Sequence, residues 1–93
     1  MRYRVKLSQR AERQLLEAVE WYEVNAPQFS ESWYRSILQS IATLETDPHR
    51  LPHAREDHHL QMELRELHFG YRKRMTHRIL FVVRDDEVLI RSI

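Results

Sequence analysis

Ninety-three residues with 15 Lys/Arg against 14 Asp/Glu give a formal net charge of +1, too close to neutral for a protein held on nucleic acid by bulk electrostatics. Cysteine is absent, which excludes disulfides and thiolate metal sites and suits a reducing cytoplasm. The length fits one small domain, 1–93, and with neither an apolar run of about 18 residues nor a leader-like start the reading is a cytoplasmic protein with no membrane role.

Arg2 to Leu7 alternates, Tyr3, Val5 and Leu7 against Arg2, Arg4 and Lys6, which is the period of a half-buried strand. Ser8 then supplies an N-cap for a helix whose apolar positions Ala11, Leu15, Ala18, Val19 and Tyr22 recur at helical spacing. Pro27 disfavours helical geometry at Ala26, so this helix should stop near Asn25. Phe29 and Ser30 read as a second start, with Ser30 as N-cap and Phe29 stapled to Tyr34. Trp33, Ile37, Ile41 and Leu44 form its buried stripe, joined by Tyr34 and Leu38, and Pro48 closes it. About four residues between the two helices predict an antiparallel helical hairpin.

His49 to His59 reads as a polar loop. From Leu60 the period returns to two: Leu60, Met62 and Leu64 share one parity and Leu67 and Phe69 the other, which predicts a bulge near Arg65 and Glu66. Gly70 to Met75 forms a turn, and Thr76 to Arg84 is a strand apolar on both sides, hence central. Asp85-Asp86 is a two-residue hairpin turn into a last strand, Glu87 to Ile93. The fold class is α+β: a strand, a two-helix hairpin, then a three-stranded antiparallel meander, with the helices on one face of a small, mostly antiparallel sheet.

A two-residue turn pairs Arg84 with Glu87, Val82 with Leu89, Leu80 with Arg91 and Arg78 with Ile93 on one face. Ile79, Phe81, Val83, Val88 and Ile90 occupy the other and lie under the helices. The uncovered face then presents Arg78 and Arg91 diagonally around Leu80, Val82 and Leu89, a partner-binding surface with affinity for anions. Arg84 opposite Glu87 is an ordinary cross-strand ion pair.

Other candidates are bounded by their spacing. His49, His53, His58 and His59 share one loop, but Pro48 and Pro52 break any zinc-binding helix face there and no HExxH is present, so no metal is expected. The single glycine, Gly70, excludes a Gly-rich phosphate loop, and no cofactor is expected. Arg72-Lys73-Arg74 reads as a solvated turn, with phosphate contact as the alternative. His77 points by parity toward the helices as a half-buried histidine.

The segments YRVKLSQRAERQLLEAVEWYE, IATLETDP and ELRELHFGYRKRMTHRILFVVRDDEVLI together resemble toxins of the RelE/ParE superfamily from bacterial type II toxin-antitoxin modules, over nearly the whole chain. The resemblance implies a growth-inhibiting toxin of a plasmid-stabilisation type of system, wrapped by a cognate antitoxin that lays a helix and an extended segment over the sheet and hairpin. RelE-like members cut messenger RNA on the ribosome, using sheet basic residues and a Tyr or His in a C-terminal tail. ParE-like members lack that set and poison DNA gyrase. Arg78, in HRILF, matches the sheet arginine of the RNA-cutting branch, whereas the tail positions have no counterpart before Ile93. Transfer through a 2′-hydroxyl needs a base, charge stabilisation and a proton donor; Arg78 suits the second, and His77 and Tyr71 are the candidates for the others. The reading is a ParE-like toxin acting on a target such as gyrase. The alternatives are a ribosome-dependent endoribonuclease and an inactive relative that binds antitoxin alone.

Overall fold

The computed structural model describes residues 2–55, 63–71 and 74–93, with the backbone path alone for residues 71 and 74–76. The elements are strand β1 (Arg4–Leu7), helices α1 (Gln9–Asn25) and α2 (Pro27–Ala42), two 3-10 turns (Thr43–Glu45 and Pro48–Arg50), and strands β2 (Leu64–Tyr71), β3 (Arg74–Arg84) and β4 (Glu87–Ser92). The strands form one sheet in the order β1-β4-β3-β2. β2, β3 and β4 make the expected antiparallel meander, while β1 runs parallel to β4. The sheet is therefore mixed: after α2 the chain passes beside the start of β1, where Tyr3 N donates to Glu45 O, and β2 then runs in the same direction as β1.

Local chemistry explains α1 fully. Ser8 has extended backbone angles and its hydroxyl accepts from the Ala11 amide at 3.1 Å, satisfying one of the free first-turn donors. Ala11 and Leu15 are buried, and Ala18, Val19 and Tyr22 pack against the core.

α2 begins earlier than expected. Pro27 is its first residue, with Ala26 as the N-cap and Phe29 N donating to Ala26 O at 2.9 Å. A proline at the first helical position lacks only an N–H that would have had no helical partner. The connection is thus one residue, Ser30 lies within the first turn rather than capping it, and Phe29 and Tyr34 cannot staple. Trp33, Ile37 and Ile41 form the buried stripe, but Tyr34 and Leu38 are about 40% exposed. The helix ends at Ala42, so Leu44 is buried from a 3-10 turn and Pro48 opens a further one.

The core lies between the hairpin and one sheet face, with Trp33, Ile37, Ile79, Phe81, Val88 and Ile90 wholly buried. Trp33 stacks on Tyr22 at 4.9 Å and meets Phe69 edge-on at 6.2 Å, geometries that aromatic quadrupoles favour.

β2 differs from expectation in one respect. Its register to β3 runs unbroken from Leu64 to Phe69, and the shift falls between Phe69 and Gly70 rather than at Arg65 and Glu66. Both parities are buried, Leu64 on one face and Phe69 on the other. Phe69 lies under the helices. Leu64, only 2% exposed, belongs to the stretch that the chain at 52–54 follows: Ala54 N donates to Leu64 O and Glu66 N to Pro52 O. Arg65 fastens this strap, its guanidinium donating to His49 O and Leu51 O at 3.1 and 2.6 Å. The expectations for Leu60 and Met62 fall outside the described residues.

Candidate functional site: the open face of the sheet

Register alone sets out the open face. The pairs Lys6↔Leu89, Leu89↔Val82 and Val82↔Leu64 make one row across all four strands. The next row runs Arg4, Glu87, Arg84. Asp85-Asp86 is the two-residue turn expected, with Asp85 in the left-handed region at φ 56, a conformation Asp tolerates better than most residues.

Beyond Phe81↔Ile90 the ladder shifts, and Leu80 lies opposite Ser92, not Arg91. Arg91 is the extra residue of a β-bulge. The expected diagonal pair of Arg78 and Arg91 therefore does not form, and Arg78 lies opposite His68 of β2 rather than Ile93. Arg91 instead joins Arg84 around a hollow of about 360 Å³ lined also by Val82, Leu89, Glu63 and Glu87.

The hollow sets two arginines against two glutamates, Glu63 and Glu87, of which one is already engaged. Glu87 is occupied from the far side, 3.2 Å from Lys6 and 3.5 Å from Arg4, so it is not the partner of Arg84 that the sequence implied. Among the described residues no carboxylate lies within ion-pair distance of Arg84 or Arg91, both of which are exposed. Two uncompensated guanidiniums flanking Val82 and Leu89 suit a ligand that combines carboxylates with apolar side chains.

Arg78 is differently placed. Its guanidinium donates to Glu66 at 2.8 Å, and the other carboxylate oxygen of Glu66 lies 3.2 Å from His68 Nε2. The Glu66 side chain is only 16% exposed, so the pair is shielded and Arg78 is charge-compensated within the fold. Glu66 and His68 were not singled out from sequence as site residues, and Arg84 was read only as the ion-pair partner of Glu87. The alternation of β2 did put Glu66 and His68 on the face of Leu64, and that is the signal that could have found them.

His77 lies where parity put it, against the hairpin: its ring is 5.5 Å from Trp33 and 6.5 Å from Phe69. Burial lowers its pKa from the ordinary value of 6.5, because a charged imidazolium loses hydration there. The unfolded chain therefore takes up this proton first. The contribution to stability is whole above pH 6.5 and declines as the pH falls from there through the folded-state value. Urea denaturation across about pH 5 to 8 should show stability falling on the acid side, with a shallower fall in His77→Gln.

Neither His77 nor Arg78 reaches the hollow, and the Tyr71 side chain, Arg72, Lys73 and the Arg74 side chain lie outside the described residues, as do His58 and His59. Among the described residues no three His, Asp or Glu side chains come together as metal ligands. No described helix is long and apolar enough to cross a membrane.

Comparison with known proteins bears on the family and the fold. The family model described as the ParE toxin of the type II toxin-antitoxin system, parDE, matches residues 5–93. No curated protein matches the sequence. A solved structure described as a chromosomal ParDE TA system from P. aeruginosa superposes with a TM-score of 0.76, covering 97% of this chain and 91% of that one at 16% identity. At that identity the likeness is one of fold.

Proposed function

The chain belongs to the ParE toxin family of type II toxin-antitoxin systems, and from that premise we propose that it arrests growth in the cytoplasm by binding and inhibiting a protein target such as DNA gyrase, until a cognate antitoxin covers the open face of its sheet. The observation that carries this reading is the division of the arginines. Arg84 and Arg91 flank a hollow that pairs Val82 and Leu89 with Glu63 and Glu87, and among the described residues neither arginine is in a salt bridge, whereas Arg78 is held by Glu66. Capture of an acidic, apolar antitoxin segment needs the first arrangement. Stabilising a phosphorane needs an arginine whose charge is not already compensated, and Arg78 is not one.

One observation favours the second reading, a ribosome-dependent messenger RNA endonuclease. His68 against Glu66, directly beside Arg78, supplies groups that could exchange a proton. The two readings separate in one experiment: induce the toxin without antitoxin and follow DNA cleavage complexes and transcript cleavage in the same cells. Accumulated gyrase-DNA complexes with intact transcripts are expected. Cut transcripts with undamaged DNA would overturn the reading, and unimpaired growth would mark an inactive relative that binds antitoxin alone.

A further inference from the structure

We infer that the solvent side of α1 is a second protein-docking surface, separate from the sheet, and that its occupant is a Lys/Arg-rich amphipathic helical segment of a partner protein. The inference begins with the residues α1 leaves in water. Leu16, Trp21 and Val24 are 62%, 57% and 80% exposed, although all three side chains are large and apolar. At about 100° per residue Leu16 and Val24 fall on the side of the helix away from Ala11, Leu15 and Ala18, the residues that meet the core, and Trp21 lies at the border of that side, its ring edge-on to Tyr22 at 5.2 Å. A single exposed leucine needs no explanation. A leucine and a valine on the outer side of one helix with an exposed tryptophan at its border have the composition of an interface centre.

The charges around these three residues identify the occupant. Glu20 stands between Leu16 and Val24 at spacings of four, and Glu17 one turn before Trp21, so carboxylates and apolar groups interleave. From residue 14 to residue 25 there are three glutamates, Glu17, Glu20 and Glu23, and no Lys or Arg. The last turn of α1 carries no basic residue, so these carboxylates crowd toward the negative end of the helix dipole, where they are unfavourable. Among the described residues none of the three has a salt bridge, in contrast to Glu31 of α2, which holds Arg35 at 2.6 Å.

That combination excludes most occupants. Nucleic acid and an anionic membrane surface would be repelled, and a second copy of α1 packed about a twofold axis would set three carboxylates against three. A cationic amphipathic helix relieves both faults at once: its apolar stripe covers Trp21, Val24 and Leu16, and its Lys or Arg residues meet the glutamates. Because the helices cover one sheet face and the hollow lies on the other, an occupant here does not compete with one on the sheet.

The test is binding, so it does not depend on the antitoxin or gyrase reading. The full-length chain is titrated with a fluorescent Lys/Leu peptide of about 18 residues, patterned as an amphipathic helix, alongside a scrambled peptide of identical composition and a Glu/Leu counterpart. Only the patterned Lys/Leu peptide should bind, and the binding should weaken with salt. Glu17→Gln/Glu20→Gln/Glu23→Gln and, separately, Trp21→Ser/Val24→Ser should each weaken it about tenfold or more. Arg84→Glu/Arg91→Glu should leave it unchanged. Equal binding of the scrambled or Glu/Leu peptide, or indifference to both α1 variants, would overturn the inference. So would a concentration-dependent dimer in size-exclusion chromatography that disappears in Trp21→Ser/Val24→Ser, since the occupant would then be a second copy.

Discussion

Replacing Trp33 by alanine is expected to lower the free energy of unfolding by about 3 to 5 kcal/mol, a large part of the 5 to 15 kcal/mol typical of a domain. Trp33 is wholly buried, and its ring meets those of Tyr22 of α1, Phe69 of β2 and His77 of β3. Its removal therefore opens a cavity where three elements meet and the surroundings can least collapse. Urea denaturation followed by far-UV circular dichroism measures the loss. The buried indole Nε1 has no hydrogen-bond partner among the described residues, and a second substitution uses that fact. Trp33→Phe keeps an aromatic ring and discards the unpaired N–H, so its cost should be well below that of the alanine variant. Equal losses in the two variants would mean that the indole N–H is satisfied and that its bond, not its volume, holds the site.

Features fixed by neighbouring residues were legible in the sequence. The Ser8 cap, the α1 stripe, the Asp85-Asp86 turn and the burial of Ile79, Phe81, Val88 and Ile90 each follow from a pattern spanning a few residues. The misreadings occur where one residue serves two elements or where distant chain decides. Pro27 was read as the end of α1, which it is, but it is also the first residue of α2, and that removed the need for a capping Ser30. The two parities of Leu64 and Phe69 suggested a bulge, because nothing local reveals that Leu64 is buried on the face away from the helices, where residues 52–54 pair along the edge of β2. The real bulge in β4 carries no glycine to mark it, since Arg91 tolerates the geometry, and it alone undid the predicted pairing of Arg78 with Arg91. The compensation of Arg78 by Glu66 required the β2-β3 register, which hydrophobic period narrows but does not fix. The open face has the apolar row expected of it, while its cations are distributed differently. Arg84, set aside as a partner for Glu87, belongs to the site because Lys6 and Arg4 of the parallel β1 occupy that carboxylate instead.

Reversing both free arginines, Arg84→Glu together with Arg91→Glu, is expected to weaken the antitoxin about a hundredfold or more while leaving the fold in place. Each side chain is exposed and off the core face, so the cost in stability should stay within about 1 kcal/mol for the pair. The loss in affinity has two sources: the attraction of two guanidiniums for acidic side chains disappears, and two carboxylates replace it beside the apolar Val82–Leu89 strip that the partner must still desolvate. Surface plasmon resonance with immobilised antitoxin measures the change, and it should diminish at high salt. In cells the same variant should arrest growth even when antitoxin is co-expressed, because a toxin that inhibits its target through another surface loses only its neutralisation. If growth resumes while antitoxin affinity has fallen, the target and the antitoxin share the open face, and neutralisation is direct occlusion. If antitoxin affinity is unchanged, the hollow is not the antitoxin site, and the two free arginines must serve the target instead.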